Sequence, residues 1–349
     1  MPCLGPRPRL HGSKDAPRRI EGMTPICSET PAADGAARRR GRVTAAALGL
    51  LAVALTLAPV ASAHGGHEHE AVSGLGAWRP ELPILAAATV ALLLFAQAFV
   101  RLRRRGRPDH APAWRALLFF LGVSFGTLAL VSPLDGIGES YLLSGHMLQH
   151  VLIGDAVPAL VLVALRGPLV FFLLPGFALR RLARLAPLRA CLGFLLRPQV
   201  SFAFWAASLA SWHLPAAYGY ALENRTVHDL EHACFFLGGT LVWAQLVDPA
   251  RRDALRRAGR LGLVVGMLAV GTALSNVLVL APDPIYVAYA EQPERRLGLT
   301  PSADQQVAGL VMMAEQALAL GTYCVFLLRG YLRAPAPAPL AADRHPLAL

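Results

Sequence analysis

Two His-x-x-x-His pairs stand out in the chain: His146/His150 in "YLLSGHMLQH" and His228/His232 in "VHDLEH". Residues four apart lie about one helical turn from each other, so each pair presents both imidazoles on one face. A neutral imidazole is a ligand for zinc, copper or iron, and it enters apolar surroundings without the cost of burying a charge. His213 in "SWHLPAAYGY" adds a fifth ring, and "ADQQVAGLVMM" brings Met312 and Met313. Imidazole with thioether is a copper donor set, the thioether favouring Cu(I). Each residue also has a bland reading. A single HxxxH arises by chance, an intramembrane histidine often only bridges helices, and methionine in an apolar helix is usually filler.

What separates the two readings is the depth at which these residues fall. The chain has 349 residues, 55% hydrophobic and only 16% charged, against roughly 25% charged in soluble domains. That balance indicates an all-α polytopic membrane protein. Hydrophobic runs predict seven transmembrane helices, near 82–100, 113–132, 141–165, 199–219, 228–247, 260–281 and 305–329. Residues 168–197, broken by arginines and prolines, read as an interfacial amphipathic segment. No internal repeat is visible.

The net charge of +11 is nearly all arginine. The arginines fall in short runs between apolar segments, which excludes a nucleic-acid-binding patch and suits cytoplasmic loops. Arg101, Arg103 and Arg104 mark the first such loop, Arg180, Arg181 and Arg184 the second, and Arg251, Arg252 and Arg256 the third. The alternate loops hold only Arg79, Arg225, Arg295 and Arg296. The mature N-terminus is therefore expected outside and the C-terminus inside. Five cysteines without a CxxC pair exclude a disulfide framework and a Cys-type zinc site.

Residues 1–42 read as a disordered, Pro- and Arg-rich extension, within which Met23 is an alternative start. Residues 43–63 carry a basic n-region, an apolar stretch and Ala61-Ser62-Ala63, the pattern of a cleavable signal peptide. An uncleaved anchor is the competing reading. The segment 64–80 then begins "HGGHEHE", in which His64, His67 and His69 form either a copper-capturing tract or a solvated spacer. Residues 81–330 form the transmembrane domain, and 331–349 a Pro/Ala-rich cytoplasmic tail.

At about 1.5 Å per residue, His146 and His150 lie roughly 7 and 13 Å below the outer surface, and His213 about 7 Å below it. His228 and His232 occupy about the first two turns of the fifth span, and Met312 and Met313 lie about 11 to 13 Å down the seventh. Five histidines from three spans thus share one outer layer, and none lies in the cytoplasmic half of any span. Structural packing explains this less well than a metal or haem site. Gln149, Asp229 and Glu231 flank the pairs as groups able to orient imidazoles. Asp155 and Glu315 lie deeper, where a charge is costly and a role is the default. Helical phase separates Asp155 from both His146 and His150, leaving it and Glu315 as a proton relay or a structural pair.

On these residues the chain resembles the CtaG-type cytochrome c oxidase assembly factors, seven-span bacterial membrane proteins. The matching motifs are "SPLDGIG" (132–138), "LSGHMLQH" (143–150), "WHLPAAY" (212–218), "HDLEHACFF" (228–236) and "ADQQVAGLVM" (303–312), in family order over roughly 80–330. The resemblance implies a multi-pass plasma-membrane protein that matures a haem–copper oxidase by delivering copper. It points to His146, His150, His213, His228 and His232. The chain departs from the family where "MMAEQALALG" replaces an aromatic and a Pro-Gly turn, and where Asp155 stands in place of an apolar residue.

Two further function classes stay open at this stage: a b-type haem protein with axial histidines, and a copper transporter, which needs coordinating groups through to the cytoplasmic side. Enzyme classes find no support, because P-loop, GxSxG, HExxH and dinucleotide fingerprints are all missing from the sequence. The expected partners are an oxidase subunit and the lipid bilayer, with no nucleic acid.

Overall fold

The computed structural model describes residues 78–332. The expected extension, the signal peptide, the His64, His67 and His69 tract and nearly all of the C-terminal tail lie outside the described residues. Within them the chain is helical, with no strand.

Helices α1 (Leu82–Arg104) and α2 (Ala113–Val131) pair through the short connection after Arg104. Helix α3 (Pro133–Ser140) starts where the "SP" dipeptide requires: Ser132 caps it, accepting from the Leu134 N–H at 3.3 Å, and Pro133 occupies the first turn. Helix α4 (Leu143–Val151) runs into a π-helical turn (Leu152–Ala156) and then α5 (Val157–Leu165). The expected third span is therefore one crossing with a bulge. Pro158 is its sequence cause, since it has no N–H to offer the Gly154 carbonyl four residues back.

Helices α6 (Leu169–Phe172), α7 (Gly176–Arg184) and α8 (Ala186–Leu195) occupy the segment expected to be interfacial. Helix α9 (Pro198–Trp212) follows α8 at a 73° bend. The expected fourth span, 199–219, is divided. Pro215 opens α10 (Pro215–Glu223) and forces Leu214 into extended backbone. Helix α11 (Arg225–Val247) begins at Asn224, whose side chain accepts from the Val227 N–H at 3.2 Å. Helix α12 (Arg257–Leu280), the short α13 (Val287–Ala290) and α14 (Pro301–Leu332) complete the chain. Among the described residues six helices are long and apolar enough to cross a membrane, and a seventh crossing exists if the bent α8–α9 pair is counted as one.

The bundle is organised around α11, which is buried along most of its length against α9, the π-turn and α5. A helix apolar all round must be enclosed in this way. Its glycines permit the close approach. A side chain at Gly239 would collide with the Gly154 carbonyl, and a Cβ at Gly238 would lie 3.3 Å from the Trp205 Cα. Small residues at helix crossings replace the hydrophobic drive that lipid cannot supply.

The two ends of the bundle differ in chemistry. The arginine-bearing connections meet at one end, where Arg115 donates to the Arg166 carbonyl and the Gly167 N–H donates to Pro249 at 2.7 Å. The other end joins α3, α13 and the start of α14. There Gln292 donates to the Ser140 carbonyl at 2.5 Å, and Asp304 accepts from the Leu143 N–H at 2.7 Å.

Candidate metal centre

Helices α4 and α11 meet at the end opposite the arginine-rich connections and bring both histidine pairs to one point. His146, His150, His228 and His232 are all buried, and one ring nitrogen from each lies within 4.8 Å of the others. Nε2 of His146 and Nε2 of His150 are 2.8 Å apart. The ring centroids of His228 and His232 are separated by 4.2 Å, and those of His150 and His232 by 5.3 Å.

The outer nitrogens are held by neighbours that fix the rings. The Tyr289 hydroxyl donates to the Gly138 carbonyl at 2.7 Å, so at 3.0 Å it accepts from His146 Nδ1–H. That tautomer leaves the His146 Nε2 lone pair facing the cluster. The Tyr218 hydroxyl lies 3.2 Å from that of Tyr289 and extends the chain. His228 Nδ1 lies 3.1 Å from Glu139 Oε1, leaving Nε2 inward. His213, which caps the end of α9, donates Nδ1–H to the Leu209 carbonyl at 2.8 Å. Anchored outer nitrogens with free inner ones are the arrangement expected around a ligated metal.

Beyond the contact between His146 Nε2 and His150 Nε2, several buried polar atoms here have no hydrogen-bonding partner among the described residues. His228 Nε2, His232 Nε2, His213 Nε2, His150 Nδ1 and both carboxylate oxygens of Glu231 are buried without one. So many buried polar atoms in one place is unusual, since each unsatisfied group costs about 1–3 kcal/mol. Four converging imidazoles, three of them with an unpartnered nitrogen, fit a copper or zinc ion.

The other expected site residues are distributed as follows. His213 is outside the set of four, its ring centroid 6.4 Å from that of His150. Met312 packs with Leu143, Met147, Tyr218, Tyr286 and Tyr289 in an apolar cluster. Gln149 bonds away from the histidines, donating to the Ala129 carbonyl at 2.9 Å and to Asp135 Oδ1 at 2.7 Å. Asp229 is half-buried and feels the charge of Arg225. Glu231 is fully buried, with Oε1 3.8 Å from His150 Nε2. Asp155 lies on the π-turn, accepts from the indole N–H of Trp243 and shares a hydrogen bond with Glu315. The cluster is thus built by the two pairs, with Glu231 against it.

Several supporting residues are not evident from spacing. Glu139, Tyr218, Tyr289 and Asp304 belong to no histidine pattern, although Tyr218 and Asp304 lie inside the motifs quoted above. Asp304 also accepts from Ser144, through its N–H at 3.2 Å and its hydroxyl at 2.5 Å, and so fixes the start of α4. Glu139 and Asp135 both lie on α3, outside the spans. Burial and the adjacent Glu139 carboxylate push Asp135 up to about 7. Burial alone would raise Glu139 as well, but the hydrogen bond from His228 and the nearby positive charges hold it below the ordinary carboxylate value. Arg79 contributes to this from 3.6 Å.

The sequence profile of the cytochrome c oxidase caa3 assembly factors matches residues 93–334, a stretch that contains every histidine of the cluster. No curated protein and no solved structure matches the chain. The profile covers well over half of the chain, which therefore belongs to the cytochrome c oxidase caa3 assembly factor family.

Proposed function

We propose that this assembly factor holds one copper ion between His146, His150, His228 and His232 and passes it to a haem–copper oxidase subunit in the same membrane. Family membership gives the process, cytochrome c oxidase assembly. The copper reading is carried by one observation: four buried imidazoles converge, and inner nitrogens among them have no partner in the protein. Copper here is cargo. Imidazole ligands release it more readily than a thiolate cage would. The protein's own part is to orient the rings through Tyr289 and Glu139 and to exclude water by burial. The role is non-enzymatic.

The arginine distribution supports a position for the cluster near the extracytoplasmic face of the bacterial plasma membrane, with the mature N-terminus outside. In that topology the bent α8–α9 pair makes the seventh crossing, and His64, His67 and His69 assist capture. A bis-imidazole haem fits less well, because one ring nitrogen from each of the four histidines lies within 4.8 Å of the others, so that any cross-helix pair has the remaining two rings in the space a porphyrin would fill.

The test is replacement of the native protein by the His146→Ala, His232→Ala double variant in cells. An oxidase that keeps its haem and lacks copper supports the proposal. Full copper loading of the oxidase, with the variant present in the membrane, contradicts it.

A further inference from the structure

The four histidines are not the only side chains of metal-ligating type at this point. Glu231 sits on α11 three residues after His228 and one before His232, on the buried side of the helix. It is 1% exposed, and neither carboxylate oxygen has a hydrogen-bond partner in the protein. A buried carboxylate normally accepts several hydrogen bonds or pairs with a cation. Its Oε1 is 3.8 Å from His150 Nε2, which is itself 2.8 Å from His146 Nε2. The oxygen thus lies beside His150, at the edge of the set of four ring nitrogens that fall within 4.8 Å of one another.

The donor types around that place have a consequence. Four imidazole nitrogens and one carboxylate oxygen make a borderline-to-hard set. The buried thioethers of Met147 and Met312 belong to the neighbouring apolar cluster with Leu143 and Tyr218. Soft sulfur donors select Cu(I), whereas mixed nitrogen and oxygen donors suit Cu(II), commonly in tetragonal geometry. We propose that Glu231 is the fifth ligand of the site, in place of His213 or Met312, and that the cargo is bound as divalent copper. This inference rests on the copper reading given above and adds the ligand and the oxidation state to it.

The test uses the full chain purified in detergent, titrated separately with Cu(II) buffered by nitrilotriacetate and with Cu(I) buffered by bicinchoninate. Glu231→Gln keeps the size of the side chain and removes the anionic oxygen. The expected result is a loss of at least about tenfold in Cu(II) affinity, no smaller than the cost of removing a group that only orients a ligand, with Cu(I) affinity changed less than about threefold. The electron paramagnetic resonance spectrum of the Cu(II) form should also change on this substitution. Glu231→Asp, which keeps the charge, should recover part of the Cu(II) affinity and guards against a folding defect in the glutamine variant.

Unchanged Cu(II) affinity in Glu231→Gln, with copper lost from His146→Ala, His232→Ala, overturns the role of Glu231 and leaves the histidine site standing. An equal loss for both oxidation states overturns the divalent assignment. Copper retained by the double alanine variant overturns the histidine site and this inference with it.

Discussion

Glu139 on α3 lies 3.1 Å from Nδ1 of His228 on α11, so a carboxylate from one helix sets the ring of another. Removing it tests orientation without removing a ligand. Glu139→Gln should weaken copper binding by about tenfold to a hundredfold, the range for groups that orient ligating histidines. Titration of the purified protein measures this, and an unchanged affinity would mean that His228 is positioned by other contacts.

Gly138 carries a second prediction. A Cβ there would lie 2.9 Å from the His146 backbone nitrogen and 3.0 Å from its Cα. Gly138→Ala must push α3 away from α4, at a cost of about 1–3 kcal/mol. It would also move the Tyr289 hydroxyl, which bonds the Gly138 carbonyl and His146 alike. A lower melting temperature in detergent together with weaker copper binding is expected, and a variant indistinguishable from wild type would refute the close packing.

Asp135 links stability to pH. Its folded value of about 7 stands above the unfolded carboxylate value of roughly 3.9. The folded state therefore binds the extra proton, and the stabilisation is full below about pH 4 and lost as pH rises through 7. Glu139, held low, acts in the opposite sense, and its contribution disappears as pH falls below the usual carboxylate range. The melting temperature of wild type relative to Asp135→Asn should consequently decline between about pH 4 and 7. A constant difference across that window would show that Asp135 does not hold the proton.

The deep pair of Asp155 and Glu315 lies outside the histidine cluster. Asp155→Ala leaves the Trp243 indole N–H without the acceptor it now has. A stability loss of about 1–3 kcal/mol is expected for that unsatisfied donor, with copper affinity changed less than about threefold. A large fall in affinity would instead join the deep pair to the copper site.

The long spans and the histidine layer were legible in the sequence because apolar runs and i,i+4 spacing are local signals. His146, His150, His228 and His232 could be placed at one depth by counting residues alone. The breaks were harder. Pro158 and Pro215 sit inside apolar runs, where hydropathy outweighs a single proline, yet each reshapes its crossing, one as a π-turn and the other as a helix end at His213. Tyr289, Glu139 and Asp304 were hidden because their partners are far away in sequence; Tyr289 meets Gly138 across 151 positions. Gln149 read as a neighbour of the histidines, but its phase on α4 turns it toward Ala129 and Asp135.

The most direct test of the central claim is the copper content of the purified full-length protein after loading and removal of loosely bound metal. Wild type should retain one copper ion per chain. The His146→Ala, His232→Ala double variant, still inserted and helical, should retain none, while His213→Ala keeps its ion. One copper ion per chain in the double variant would contradict the account and leave the four histidines as structural packing.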